Sequence, residues 1–216
     1  MCGRYKRKSD KQRIAEVFNV QVGLDDLPYE EGDDLSPQSL QPVIFTNDAG
    51  ERQIELMRWA FKLPDRPRPL FNARSEGIEH AKFWKDAFLK GRCIVPGDAL
   101  YEWQEVKKGK KPKYEFVIPG QEPFGMAAVW KLWKNHKTDQ WEPTFAILTG
   151  ESNELMAPIH DRMTTFLEPR DYDEYLAISE RPPIHLLRIL PASRMKATLV
   201  EKLRITNKQA SLFDGK

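Results

Sequence analysis

The alternation of apolar and polar positions predicts a chain built mainly from short strands. Several runs combine β-branched and aromatic residues with turn residues on both sides, a pattern typical of strands. The runs cover residues 43–46, 53–59, 92–95, 99–103, 114–118, 126–130 and 144–149, and a last strand is predicted at 198–200. The first two flank Asn47-Asp48-Ala49-Gly50, which predicts a β-hairpin.

Helical spacing is confined to three short stretches. Ser9 begins a capping-box sequence, and the apolar residues after it share one helical face as far as Phe18. A second helix is predicted over 79–90 and closed by Gly91, and a third from Pro169 to about Leu176. The acidic stretch 25–42 and the proline-bearing stretch 63–70 are predicted as loops.

The order of these elements indicates the fold class. Strands that follow one another through hairpins, with few helices between them, favour a mixed or antiparallel sheet that closes toward a barrel. The sequence therefore predicts an α+β fold with a mostly antiparallel, barrel-like β core, short flanking helices and a single domain. We expect that domain over residues 1–200 and a C-terminal tail over 201–216.

Composition narrows the functional classes. The 216 residues are 40% hydrophobic and 31% charged, and no apolar run approaches the roughly 20 residues of a membrane helix. The start of the chain has no apolar segment typical of export signals, so we expect a cytoplasmic protein, a monomer that does not engage membranes. Cys2 and Cys93 form neither a disulfide framework nor a zinc-type pair, and no metalloprotease or Walker motif is present, so no cofactor or metal is expected.

Charge is distributed unevenly although the net charge is only +2. The stretch 25–34 is acidic, whereas lysines cluster between Lys107 and Lys113. Lysine-rich turns are usually solvated, so this cluster taken alone does not indicate nucleic acid.

The first residues contain the most distinctive candidate chemistry. Removal of Met1 would leave Cys2 with a free amine and a thiol on adjacent carbons. An aldehyde that condenses with the amine can then be attacked by the thiol, which closes a five-membered thiazolidine. The α-amine, with an ordinary pKa of about 7.7 to 8.0, is partly neutral near pH 7.5, unlike a lysine. A small second residue is nevertheless common, and Cys2 alone is more simply read as incidental.

Three further stretches have polar residues at positions where the pattern of a buried core predicts apolar ones. The stretch 72–76 combines Asn72, Arg74 and Glu76, for which a helix cap with a surface ion pair is the simpler interpretation. Glu102 lies between two aromatic residues in a predicted strand, and alternation would put it on the opposite face as an exposed glutamate. His160 follows an apolar strand beside charges of both signs, as a structural histidine or a proton carrier.

Together these motifs resemble the SOS-response-associated peptidase family, the abasic-site processing proteins. The order and spacing agree from residue 1 to about 197. The residues that carry the resemblance are Met1-Cys2-Gly3-Arg4, 57–61, 72–76, 92–96, Tyr101-Glu102-Trp103, 159–163 and 191–193. Each motif is short, but their ordered conjunction is specific.

The resemblance implies an enzyme-like DNA damage response protein without a cofactor. It would bind single-stranded DNA at an abasic site and crosslink to it through Cys2, with a lyase-like step and self-processing peptidase activity. By matching positions, Cys2 is the nucleophile, Asn72 positions the opened sugar, Glu102 is the acid/base and His160 carries protons. The DNA-binding residues implied are Arg4, Arg74, Arg162 and Trp103.

The chain differs from the family pattern at two places. The segment 59–65 lacks the glycine and the second tryptophan of the usual Trp-Gly-Leu-Ile-Pro-x-Trp run. The usual Tyr-Asn pair before the first hairpin is Asp33-Asp34, and Asp34 would repel phosphate where asparagine would donate a hydrogen bond. We expect these changes to affect DNA affinity or context more than the covalent step.

Two other classes stay open from the sequence. One is an amino-terminal-nucleophile amidohydrolase, in which the Cys2 thiolate attacks a small amide or peptide and its own α-amine is the base. The other is a non-covalent single-strand binding module that uses the lysine cluster and exposed aromatic residues.

Overall fold

The computed structural model describes residues 3–136 and 138–200, so Cys2 and the predicted tail 201–216 lie outside the described residues. Within those ranges the chain forms thirteen strands and three α-helices. In chain order they are β1 (Tyr5–Arg7), α1 (Lys11–Phe18), β2 (Gly32–Leu35), β3 (Leu40–Thr46), β4 (Arg52–Trp59), β5 (Asn72–Arg74), α2 (Lys85–Lys90), β6 (Arg92–Gly97), β7 (Ala99–Trp103), β8 (Lys113–Val117), β9 (Phe124–Lys134), β10 (Trp141–Glu151), β11 (Arg162–Thr164), β12 (Phe166–Leu167), α3 (Tyr172–Leu176) and β13 (Lys196–Leu199).

Five strands close into a barrel. The order is β10-β4-β3-β6-β9, and β9 pairs with β10 again, which completes the ring. Only the pairing of β10 with β4 is parallel within this ring. Short strands β5, β11 and β12 extend it. The predicted α+β class with a mostly antiparallel, barrel-like core is therefore confirmed.

Period-two alternation divides the barrel strands between two cores. One set, which includes Val43, Met57 and Phe145, is fully buried in a cluster that continues onto β1 and β7. The other set, which includes Ile44 and Leu148, packs against α1, α2 and α3. Helices cannot fit inside a five-stranded ring, so the first set fills the barrel.

A second sheet positions the candidate chemistry. Its order is β13-β8-β7-β1-β2, and it holds the start of the described chain beside β7. Tyr5, Leu100 and Phe116 bury one face of this sheet in the core shared with the barrel. The opposite face contains charged and aromatic side chains.

Most predicted elements are confirmed, with some changes of boundary. The hairpin around residues 47–50 forms as predicted between β3 and β4. Helix α1 begins one residue later than the capping-box pattern suggests, because Asp10 accepts from the Arg13 backbone N–H at 2.7 Å. Ser9 instead donates its backbone N–H and hydroxyl to Asp98, at 2.8 and 2.5 Å, and so fixes the turn before β7.

Two sequence predictions are wrong in part. The helix predicted over 79–90 is helical only in α2, because Phe83 and Trp84 pack edge-on against Phe61 with ring centroids 5.6 and 5.3 Å away. The stretch 25–42 is not all loop, because strand β2 and the start of β3 lie within it. Backbone pairing with β1 makes β2 a strand despite its acidic sequence.

Ala60 occupies the position where the family pattern has glycine. Its φ of 102° lies in the region that favours glycine, and its N–H donates to the Phe145 carbonyl at 3.0 Å. The turn after β4 therefore keeps a glycine-like backbone while carrying a side chain. None of the helices in the described ranges has both the length and the apolar composition needed to cross a membrane.

Candidate active site

Strand β7 places Glu102 on the inner face of the second sheet. Its neighbours Tyr101 and Trp103 point the other way, where the Lys113 Nζ lies 3.7 and 5.3 Å from their ring centroids. This alternation was predicted, but the interpretation of Glu102 as an exposed glutamate is wrong, because only 5% of the residue is exposed.

Burial changes the acidity of Glu102. Loss of solvation raises the pKa of its carboxyl above the ordinary value, and the nearby negative charge of Asp161 acts in the same direction. A carboxyl with a raised pKa exchanges its proton closer to neutral pH, which suits a general acid or base.

The start of the described chain runs alongside Glu102. Tyr5 pairs with Leu100, and the Tyr101 N–H donates to the Arg4 carbonyl at 3.0 Å. Continued by two residues from the Tyr5–Leu100 pair, this antiparallel register would bring Gly3 opposite Glu102. Met1 and Cys2, which precede Gly3, lie outside the described residues.

His160 lies in the loop that joins β10 to β11. The loop is held by hydrogen bonds from the His160 N–H to the Met156 carbonyl, 2.9 Å, and from Ser152 Oγ to the His160 carbonyl, 2.7 Å. Gln104, just past the end of β7, donates to the Pro158 carbonyl at 3.1 Å. The loop is therefore fastened to the strand that carries Glu102.

Two contacts compete for the Nδ1 atom of His160. The Arg162 backbone N–H donates to it at 2.9 Å, which requires an unprotonated Nδ1, and Asp161 Oδ1 lies 3.0 Å away, which would suit a protonated one. Burial lowers the pKa of His160 below its ordinary value. The neutral ring with its proton on Nε2 is therefore the consistent assignment near pH 7.

Asn72 lies in β5, not at a helix cap. The strand pairs in parallel with β10 and places Asn72 beside Ile147. Its Nδ2 is 3.4 Å from the Ile147 carbonyl, and its buried Oδ1 has no hydrogen-bond partner among the residues the structure describes. The preceding Phe71 packs edge-on against Trp59, which contacts Tyr5 of β1 at 5.4 Å between ring centroids.

Glu76 connects the motif at residues 72–76 to the motif at residues 159–163 through an ion pair with Arg162. Its Oε1 and Oε2 accept from Arg162 Nη1 and Nη2 at 2.6 and 2.7 Å. This bidentate pair lowers the pKa of Glu76 and raises the pKa of Arg162. The sequence suggested a surface ion pair within residues 72–76. Glu76 does form an ion pair, but with Arg162, which is 86 positions away and could not be identified from that motif.

The four implied DNA-binding residues occupy different environments. Arg4 forms an ion pair with Asp34 at 2.6 Å, and Arg162 is held by Glu76. Arg74 is exposed and makes no ion pair with any described residue. Trp103 is half-buried beneath Lys113. Only Arg74 thus presents a cation that a phosphate could reach without displacing one of these carboxylates.

Cys93 is a poor nucleophile. It is fully buried inside the barrel, and loss of solvation raises the pKa of its thiol well above the ordinary value. Sequence reasoning missed Gln104 and Asp98, whose structural roles depend on partners distant in sequence. Only their polarity beside predicted strands offered a signal.

Comparisons with known proteins show which family and relatives the chain resembles. The family model described as SOS response associated peptidase (SRAP) matches residues 1–206. The abasic site processing protein YoqW of Bacillus subtilis strain 168 is 28% identical over 214 residues, which span 94% of this chain and 93% of that protein. The abasic site processing protein YedK of Escherichia coli strain K12 is 25% identical over 182 residues, which span 82% and 79%.

Solved structures show the same fold. A crystal structure of a protein from Bordetella bronchiseptica has a TM-score of 0.78 and 24% identity, and the match covers 93% of this chain and 100% of that one. A second, from Bacteroides thetaiotaomicron, has a TM-score of 0.79 and 20% identity, with 93% of each chain covered.

Proposed function

The chain belongs to the SOS response associated peptidase family, and on that premise we propose that it binds single-stranded DNA at abasic sites and bonds covalently to them through Cys2. The relatives named abasic site processing proteins support the choice of lesion. The observation that carries the proposal is the buried Glu102, set beside the strand that leads to the amino terminus.

The proposal relies on the peptide bond between Cys2 and Gly3. Consecutive Cα atoms are about 3.8 Å apart, so Cys2 is held within that distance of Gly3. Opposite residues on paired antiparallel strands have Cα atoms about 4.5 to 5.5 Å apart, which is the separation expected for Gly3 and Glu102. The amine and thiol of a processed Cys2 would thus lie within reach of the Glu102 carboxyl.

The proposed reaction balances without a cofactor. The abasic deoxyribose opens to an aldehyde, the neutral α-amine of Cys2 adds to the carbonyl carbon, and loss of water gives an imine. The thiol sulfur then bonds to the imine carbon, and its proton passes to the nitrogen. The product is a five-membered thiazolidine that joins Cys2 to the sugar.

Three described residues would transfer protons or bind the sugar during this reaction. Glu102 would exchange protons with the amine and the departing water, since its raised pKa brings it closer to neutral pH. The neutral ring of His160 would transfer protons to and from the opened sugar. Asn72, with its unsatisfied buried Oδ1, would accept a hydrogen bond from a sugar hydroxyl.

Removal of Met1 precedes this chemistry because an acylated nitrogen cannot form an imine. We propose that Glu102 assists this step as well, which would account for the peptidase in the family's name. Arg74 would bind backbone phosphate directly, whereas Arg4 and Arg162 would first exchange a carboxylate partner for the phosphate.

Incubation of the untagged protein with an abasic single-stranded oligonucleotide tests the proposal. Denaturing electrophoresis should show an adduct, and intact-mass measurement should show a chain that begins at Cys2. A variant with an amino-terminal tag should form no adduct. Turnover of a small amide without an adduct would favour the amidohydrolase, and salt-sensitive binding without an adduct would favour the binding module.

A further inference from the structure

The outer face of the second sheet, opposite the face that carries Glu102, holds several cations near the start of the described chain. Arg4 lies two positions from Cys2, and Lys113 covers the ring of Tyr101 at 3.7 Å from Nζ to the centroid. Lys6 is also on this face, where its Nζ lies 3.2 Å from the carboxylate of Glu115. These cations lie on the face opposite Glu102, but Arg4 is only two positions from Cys2 in the chain, so a DNA strand bonded to Cys2 would have phosphates within reach of this face.

The carboxylate of Asp34 already forms ion pairs with two of these cations. Asp34 Oδ2 lies 2.6 Å from Arg4 Nη1, and Asp34 Oδ1 lies 3.7 Å from Lys113 Nζ. Asp34 belongs to β2, the edge strand that pairs with β1. The carboxylate thus bridges the guanidinium of the residue before β1 and the ammonium of the first residue of β8, as a phosphate group could.

Two neighbouring acidic residues, Glu31 and Asp33, face a different cation. Asp33 Oδ2 lies 2.9 Å from Lys8 Nζ, and Glu31 Oε2 lies 3.7 Å from the same atom. Asp33 and Asp34 are neighbours of equal charge, but they neutralise separate groups. This division offers a matched comparison within one strand.

We propose that Asp34 occupies the place of a DNA phosphate on this face and acts as a built-in competitor that limits the affinity for single-stranded DNA. The inference rests on the proposed function and adds a specificity device to the same site. Arginine and lysine bind carboxylate and phosphate through the same charge-assisted hydrogen bonds, so one anion can replace the other. The side chains of Arg4 and Asp34 are 41% and 49% exposed, so solvent weakens their attraction and makes exchange feasible.

Removal of the competitor should strengthen binding. The probe is a single-stranded oligonucleotide whose abasic aldehyde has been reduced, so only non-covalent affinity is measured, by fluorescence anisotropy across a salt series. Asp34→Asn should bind more tightly than wild type at low salt. Each new phosphate contact steepens the slope of log affinity against log salt by about 0.7, which makes the advantage shrink about 2.6-fold between 50 and 200 mM salt for one contact and about sevenfold for two.

Two controls distinguish the effect of the Asp34 contacts with Arg4 and Lys113 from the effect of net charge. Asp33→Asn removes the same charge from the same strand but leaves the Arg4 and Lys113 pairing in place, so it should change affinity much less. In an Arg4→Gln/Lys113→Gln background, Asp34→Asn should give no gain, because the two cations it would release are absent. Thermal unfolding of each variant verifies that it is folded.

The outcomes distinguish this inference from the proposed function. If wild type binds the probe but Asp34→Asn binds no better, or if Asp33→Asn gives the same gain, the inference is overturned. If wild type shows no salt-sensitive binding and no adduct with the unreduced oligonucleotide, the proposed function itself fails. Tighter binding by Asp34→Asn alone, lost in the double-glutamine background, supports the inference.

Discussion

Arg162 and Glu76 form a bidentate ion pair, with N–O distances of 2.6 and 2.7 Å, between two segments that the sequence separates by 86 positions. The same guanidinium donates to the Thr149 carbonyl of β10. The pair therefore ties the segment after β5 to the start of β11, directly after the His160 loop. Arg162 therefore has a structural role in the folded chain.

Glu76→Gln should destabilise the fold by about 1 kcal/mol near pH 7, because it removes a bidentate but half-exposed ion pair. Arg162 lowers the pKa of Glu76 in the folded state, so this stabilisation is present above the ordinary value of 4.5. The free-energy difference between wild type and variant should shrink as pH falls through the lowered pKa. Urea unfolding at several pH values measures it, and a constant difference would contradict the prediction.

Glu102→Gln should slow adduct formation by about a hundredfold to ten-thousandfold, the usual contribution of a positioned acid or base. Burial raises the pKa of Glu102, so the folded state binds its proton more tightly than the unfolded state does. Wild-type stability should therefore fall as pH rises from about 4.5 through the raised pKa, and the variant should lack this decline.

Single-turnover electrophoresis and thermal unfolding against pH provide the two measurements for Glu102→Gln. Mass spectrometry must first confirm that the variant begins at Cys2. A variant that unfolds more easily at pH 7 yet crosslinks at the wild-type rate would assign Glu102 a structural role.

His160→Gln should slow the reaction while leaving non-covalent affinity for a reduced abasic oligonucleotide nearly unchanged. Glutamine can donate a hydrogen bond from a position near Nε2 but cannot accept and release protons near neutral pH. Because burial lowers the pKa of His160 below 6.5, protonation of its ring should add a step to the wild-type pH–rate profile only below that pH, separate from the change that the α-amine of Cys2 contributes at about pH 8. The variant's pH–rate profile should lack that step, and an unchanged profile would remove His160 from proton transfer.

Arg74→Gln should weaken non-covalent DNA binding and make the salt slope shallower by about 0.7, which corresponds to one lost phosphate contact on a single strand. The exposed Arg74 has no ion-pair partner within residues 3–136 and 138–200, so thermal stability should be unaffected. Arg170→Gln, a change of equal charge beside α3, is the control and should leave the slope as it is. Equal slopes for wild type and Arg74→Gln would exclude a phosphate contact at this residue.

Cys2→Ala, once Met1 is removed, should form an imine with abasic single-stranded DNA but no thiazolidine. Borohydride should trap this imine, whereas without reductant it should hydrolyse during denaturing electrophoresis. The wild-type adduct should survive the same treatment. An oligonucleotide with a reduced sugar should give no adduct with either protein, and a Cys2→Ala adduct as durable as wild type would show that the thiol is not the trap.

Local patterns determined much of this protein. The period of two placed Glu102 opposite Tyr101 and Trp103, and the turn at residues 47–50 predicted its hairpin, because both signals lie within a few residues. The same patterns together supported the barrel-like fold class. They also identified 72–76 and 159–163 as polar motifs, although neither motif contains information about the other.

Partners distant in sequence decided the remainder. Ser9 donates hydrogen bonds to Asp98, 89 positions away, and Asp10 is therefore the N-cap of α1. Pairing with β1 makes β2 a strand although its sequence is acidic. Glu102 is buried only because its sheet closes over the barrel core, and no local signal reports the solvation of a side chain. Such contacts gain free energy only after the chain has closed long loops, and so only the tertiary structure could place Glu76 on Arg162 and Asp34 between two cations.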